Sequence, residues 1–190
     1  PRIIGGSDAS IADVPFIVTI FRSSASFSHC GGALVADQYV FTAAHCITTG
    51  NYDVGVYKTS ASRNTNSQCE EIISVQNYYK HPGNSHLLIH DFAILKLSRV
   101  PSCINNGPIS IRVDNGTYWP QSTTQLPIQS AFVAGWGSID SNSQVFPWSL
   151  QRATVTLYTR TQCNSWYQNM IGGNPLSISN GCAGDYDGNY

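Results

Sequence analysis

The sequence predicts an all-β fold, a sandwich or barrel of short strands, and three observations carry that expectation. Short runs rich in Val, Ile, Phe, Tyr and Thr recur along the chain. Gly, Asn, Ser and Pro punctuate them, which is the pattern of many short strands joined by turns. Six cysteines form an even set without a Cys-x-x-Cys pair. That spacing speaks against zinc ribbons and redox motifs and for disulfides in an oxidising compartment.

The predicted strands, in order, are 16–21, 33–35, 39–42, 52–57, 71–75, 92–95, 131–134 and 153–157. Phe16-Ile17-Val18-Thr19-Ile20-Phe21 and Tyr39-Val40-Phe41-Thr42 are β-branched and aromatic throughout, the side chains that pack well on a pleated surface. Ala33-Leu34-Val35 follows a glycine pair, and Tyr52 to Tyr57 follows Gly50-Asn51. The one helix candidate comes after Thr161, over residues 162–170, and Asn180-Gly181 marks a turn before Cys182. Pro101 to Pro127 is rich in Pro, Asn, Gly, Ser, Gln and Thr with little periodicity, which reads as a linker.

Composition narrows the function classes. Charged residues are 11% of the 190, with 10 Lys and Arg against 11 Asp and Glu. Roughly 25% is usual for soluble proteins. Nothing in this near-neutral, charge-poor composition suggests electrostatic capture of nucleic acid or an anionic membrane. No apolar run approaches the roughly 20 residues that span a bilayer. The start, Pro1-Arg2-Ile3-Ile4-Gly5-Gly6, has neither an initiator Met nor a signal-peptide core. The chain therefore reads as processed or as a fragment. Asn115-Gly116-Thr117 is a glycosylation acceptor triplet, and with the cysteines it favours a secreted, extracellular protein.

Two segments carry chemistry. In Thr42-Ala43-Ala44-His45-Cys46 a histidine directly precedes a cysteine, and Cys30 lies sixteen positions upstream. A Cys30–Cys46 bridge would pin the histidine loop, a closure worth roughly 3 kcal/mol. Rigidity has a use there, because a general base must stay within hydrogen-bond reach of its nucleophile. Asp91 opens the apolar run Phe92-Ala93-Ile94-Leu95-Lys96-Leu97. A carboxylate at the mouth of a buried strand is costly unless paired. A histidine N–H is a natural partner, and the bond would fix the tautomer and stabilise the imidazolium formed in proton transfer. Each residue alone also has an ordinary reading, His45 as one of five histidines and Asp91 as a turn cap.

Six motifs in order resemble the chymotrypsin/trypsin family of serine endopeptidases. They are Arg2-Ile3-Ile4-Gly5-Gly6, His29-Cys30-Gly31-Gly32-Ala33-Leu34, the His45 motif, the Asp91 motif, Ala134-Gly135-Trp136-Gly137 and Cys182-Ala183-Gly184. The resemblance implies two six-stranded antiparallel β-barrels, with the second incomplete here. The implied division is 3–107 for the first barrel, 108–127 for the linker and 128–190 for the partial second barrel. It gives His45 the role of general base and Asp91 that of orienting acid. It makes Arg2-Ile3 an activation site whose cleavage frees an α-amino group, which in the family folds inward to pair with the aspartate before the serine. It also pairs Cys163 with Cys182. Cys69 and Cys103 remain; if 72–80 and 92–100 form a hairpin turning near His86, facing residues sum to 172, and so do these two cysteines. They would stand at a separation that suits a disulfide.

The serine expected in a Gly-Asp-Ser-Gly-Gly context is absent from the 190 residues. Gly184-Asp185-Tyr186-Asp187-Gly188 has a superficial likeness to that motif, but its position fits the loop before it. The expected function is therefore peptide-bond hydrolysis by a full-length parent, a secreted zymogen, with residues 1–190 alone inactive. The alternative is a non-catalytic homologue that uses the cleft for binding or regulation. The expected partners are protein or peptide substrates, an activating protease and protein inhibitors, with neither nucleic acid nor membrane, and the protein is expected to be a monomer. No cofactor and no metal is expected. His86 and His90 lack the helix that would bring such a pair together. The family allows a calcium loop in the first barrel, but Asp53, Glu70 and Glu71 are too sparse a set to define one.

Overall fold

The computed structural model describes residues 3–84, 90–103, 110–113, 130–140, 145–171 and 182–184, with backbone alone at 160 and 167–171. Its strands are β1 (Ser7–Asp8), β2 (Ile17–Arg22), β3 (Cys30–Ala36), β4 (Tyr39–Thr42), β5 (Tyr52–Val56), β6 (Glu71–Lys80), β7 (Ala93–Leu97), β8 (Ser130–Gly135), β9 (Gln151–Tyr158) and β10 (Cys182–Gly184). Among the described residues the helix α1 (Arg160–Ile171) and the 3₁₀ turn Ala44–Cys46 interrupt them.

Six strands close into an antiparallel barrel in the order β2-β3-β4-β7-β6-β5. Alternation explains its core. On β7, Ala93, Leu95 and Leu97 face inward and are fully buried while Ile94 and Lys96 are only partly so, as a period of two requires. Val18, Ile20, Leu34, Val40, Val54, Val56 and Ile73 complete the same cluster from the other strands. Inside a barrel, crowding selects small residues as well as large ones. A Cβ on Gly32 would stand 2.8 Å from the Phe41 carbonyl oxygen and 3.0 Å from Val40 Cγ1.

Among the described residues a second, open sheet forms on β9, which pairs with β1, β8 and β10. This is the closed barrel plus incomplete second barrel that the resemblance implies. β1 lies against β9 through Ser7↔Arg152 and Asp8↔Gln151. β10 lies against it through Cys182↔Tyr158 to Gly184↔Thr156. The chain divides into two compact units, Pro1–Arg112 with Ala134–Arg152, and Val113–Val133 with Ala153–Tyr190. The linker expected over 108–127 falls mostly outside the described residues, as do Asn115 and the hairpin turn near His86.

Every predicted strand has a counterpart, and two differences have local causes. The hairpin register sums to 172 at Val75↔Leu97 and to 173 from Asn77↔Lys96 to Lys80↔Ala93. Gln76 is the extra residue of a β-bulge, which moves the pairing by one. The helix begins at Arg160, just after Thr159 rather than after Thr161. Thr159 Oγ1 accepts the Gln162 N–H at 3.3 Å, and the Gln162 side chain accepts the Thr159 N–H at 3.1 Å. This reciprocal pair is a capping box, two donors of the first turn satisfied at once.

Candidate active site

The site is built where β4 ends and β7 begins. These antiparallel neighbours are paired at Thr42↔Ala93. His45 lies three residues past that pair and Asp91 two residues before it, so the topology brings them to one barrel edge. Thr42 Oγ1 donates to the Gly31 carbonyl at 2.8 Å, and Phe41 stacks on Phe92 with centroids 5.8 Å apart. The chain then leaves extended backbone at Ala43 and tightens into the 3₁₀ turn that presents the imidazole.

Two further devices hold the turn. Cys30 and Cys46 are bridged, with Cα atoms 6.1 Å apart. The His29 ring N–H donates from Nε2 to the Cys46 carbonyl at 2.9 Å, since a carbonyl can only accept. On the other side His90 has φ 52°, the left-handed region that His adopts more readily than β-branched residues. The Phe92 N–H donates across Asp91 to the His90 carbonyl at 2.8 Å. The tight reversal aims the Asp91 carboxylate at the 3₁₀ turn.

That carboxylate grips His45 at two points. Oδ1 accepts the His45 backbone N–H at 2.8 Å, and Oδ2 meets Nδ1 at 2.6 Å. Asp91 is mostly shielded, its side chain 16% exposed, whereas the His45 ring is 57% exposed. Burial by itself would raise the Asp91 pKa. The hydrogen bond from the His45 ring, those from the His45 and Ala44 backbone N–H groups, and the ring's charge outweigh burial and hold it below the ordinary value. An ionised carboxylate only accepts, so Nδ1 carries a proton toward it, and in the neutral form of the ring Nε2 is the nitrogen with the lone pair. Nε2 stands 3.7 Å from Cys46 Sγ. That sulfur belongs to the disulfide and has no proton to give.

A pair arranged in this way can act chemically as an oriented base. Among the described residues, no hydroxyl is hydrogen-bonded to Nε2. Cys30, His45 and Cys46 place their potential ligand atoms within 4.8 Å of one another, but both sulfurs are spent in the bridge, so the trio offers no thiolates to a metal. A depression of 230 Å³ lined by Gly50, Asn51, Tyr52, Gln76 and Tyr78 includes neither His45 nor Asp91.

The other predicted residues sit as follows. Cys69–Cys103 and Cys163–Cys182 are bridged, with Cα separations of 5.6 and 5.8 Å. Arg2 and Asn115 lie outside the described residues. Ile3 is 5% exposed, and its N–H donates to the Ser138 carbonyl at 2.8 Å. Trp136 is buried beside Val14, Ile17 and Leu150, and its indole N–H donates to the Thr59 carbonyl at 3.5 Å. Sequence reasoning missed His29 and His90 as supports of the site. The adjacency of each to a motif residue, Cys30 and Asp91, is the signal that could have found them.

The family model described as Trypsin matches residues 3–189. The chain belongs to the trypsin family. It is 29% identical to a trypsin of Xenopus laevis over 98% of its length and 74% of that protein's. It is 30% identical to trypsin alpha of Drosophila melanogaster, over 86% of its length and 60% of that protein's. Its structure is similar to that of neuropsin, a serine protease expressed in the limbic system of mouse brain, with a TM-score of 0.78 and 26% identity. That match covers 98% of this chain and 76% of the other. Among the described residues no helix is long and apolar enough to cross a membrane.

Proposed function

We propose that the full-length protein is a secreted, monomeric serine endopeptidase made as a zymogen, with His45 as general base and Asp91 as its orienting acid. The observation that carries this reading is the Asp91–His45 pair, in which one carboxylate grips both the backbone N–H and the ring Nδ1 of a half-exposed histidine. The nucleophile in this reading is a serine not among these 190 residues, borne by the rest of the protein. Its Oγ attacks the scissile carbonyl carbon as His45 Nε2 takes its proton. The imidazolium then returns that proton to the leaving amine as the C–N bond breaks, leaving an acyl-enzyme. Water repeats the sequence, and its proton passes through His45 back to the serine. Asp91 stays ionised throughout and stabilises the imidazolium.

Activation fits the same reading. Cleavage between Arg2 and Ile3 by a protease that recognises a basic residue would free the Ile3 amino group. Ile3 is already seated, buried, with a Cβ on Gly135 falling 3.5 Å from Ile3 Cδ1. The partners proposed are peptide or protein substrates, that activating protease and protein inhibitors.

The test is labelling of the activated full-length protein by a serine-directed phosphonate. One label per molecule is expected, and His45→Ala should slow labelling by orders of magnitude. No labelling of a folded protein with a processed Ile3 terminus would overturn the endopeptidase reading and favour a non-catalytic homologue.

A further inference from the structure

The family allows a calcium ion in a loop of the first barrel, and the loop between β5 and β6 carries the candidate donors. Calcium takes about 6–8 oxygens, among them carboxylates and backbone carbonyls. The three carboxylates available are Asp53, Glu70 and Glu71, and each already faces a cation of the chain. Asp53 Oδ2 accepts from Arg63 at 3.0 Å, Glu70 Oε2 from Lys58 at 2.9 Å, and Glu71 Oε2 from Arg99 at 2.5 Å.

Glu70 is the most completely engaged. Oε1 accepts the Thr59 N–H at 2.9 Å and the Thr59 hydroxyl at 2.6 Å. Oε2 accepts the Lys58 ammonium and the Asn66 N–H, the latter at 2.7 Å. A carboxylate has about four acceptor positions, so none is left for a metal. The side chains of Lys58 and Glu70 are both fully buried. The ammonium also donates to the backbone carbonyl of Asn64. It therefore sits between a carboxylate oxygen and a loop carbonyl, the kinds of oxygen a hard cation would use. Ser60 Oγ is the one buried side-chain oxygen among the described residues without a partner, and a single hydroxyl falls far short of a coordination shell. The backbone is shaped for this arrangement. Tyr57 has φ 54°, which turns the chain so that Lys58 runs inward. A Cβ on Gly55 would lie 2.8 Å from Lys58 Cγ, so the lysine stem occupies the room that glycine leaves.

We infer that the buried ammonium of Lys58 is a built-in cation that clasps the 58–70 loop, so that the first barrel folds and holds without calcium. The inference is independent of the proposed catalysis, because its readout is thermal unfolding. The full-length protein is melted in EDTA and in about 10 mM CaCl₂, near saturation for a weak extracellular site. The expected result is a Tm unchanged between the two buffers. A calcium site in the loop would instead raise Tm by about 3–10 °C. Such a rise in the wild type, abolished by Glu70→Gln, would overturn the inference; a rise that survives Glu70→Gln lies elsewhere and leaves the loop calcium-free as inferred. The second arm replaces the ammonium. Lys58→Glu sets two carboxylates face to face and is expected to make Tm calcium-dependent by the same few degrees. Should it not fold in either buffer, Lys58→Gln, which removes the charge but retains an oxygen donor, is expected to show the same gain. Calcium indifference of the variant that folds would overturn the idea that the ammonium stands in a cation's place.

Discussion

At the scale of single residues, His45 is held by a carboxylate and a disulfide from two different directions. In a Ser-His-Asp triad, replacing the aspartate by asparagine costs about 10⁴ in kcat because it inverts the tautomer. Asp91→Asn in the activated full-length protein is expected to lose activity on that order while its melting curve stays near wild type. His90 supplies the reversal before Asp91. A β-branched residue there should cost about 1–3 kcal/mol, whereas His90→Asn or His90→Gly should be close to neutral; urea melts of the three variants would check this. Glu70 has a pH signature. Burial alone would raise its pKa, but the bonds from Thr59, Asn66 and Lys58 outweigh it and hold the group at about 2, against an ordinary 4.5. A depressed carboxylate contributes stability above the unfolded value, and that contribution is lost as pH falls through the folded one. The Glu70 share of stability should therefore be intact above about pH 5 and fade toward pH 2. Glu70→Gln, which leaves the Lys58 charge buried without its partner, should cost about 3–5 kcal/mol at neutral pH and flatten that acid limb. A wild-type acid limb retained in the variant would refute the assignment.

At the scale of elements, legibility followed side-chain chemistry. Strands such as β2 and β4 were readable because β-branched and aromatic residues declare themselves. β1, Ser-Asp, and β10, Cys-Ala-Gly, carry no such residues, and they are strands because β9 offers them an edge. The bulge at Gln76 was invisible for a similar reason: register depends on both partners, and nothing in Gln76 itself marks an insertion. The helix start was misjudged by two residues, although the Thr159-x-x-Gln162 spacing was there to be read. His45 and Asp91 were legible through their motifs, while the left-handed backbone of His90 and the Lys58–Glu70 pair were not, since both arise only once the loops close. The histidine turn also carries a prediction. Replacing Cys30 and Cys46 together by alanine should remove about 3 kcal/mol of stability, seen as a lower midpoint in guanidinium, and should loosen the base enough to lower kcat more than it raises KM.

At the scale of the whole molecule, the closed barrel is the self-sufficient part. Its six strands leave no open edge, and its core is continuous from Val18 to Leu97. Leu95→Ala, at a fully buried position on β7, is expected to cost about 2–5 kcal/mol and to weaken the site as well, because Asp91 lies two residues before β7. Among the described residues the sheet on β9 is open, so variants there should increase aggregation before they alter His45. Comparing light scattering with the His45 ring signals would separate the two effects. The proposed catalysis rests on one proton lying between His45 Nδ1 and Asp91 Oδ2. Nuclear magnetic resonance of the ¹⁵N-histidine-labelled protein locates that proton. The account predicts a slowly exchanging, strongly downfield Nδ1–H for His45 that disappears in Asp91→Asn. A His45 ring that is protonated at Nε2 and indifferent to the state of residue 91 would contradict it.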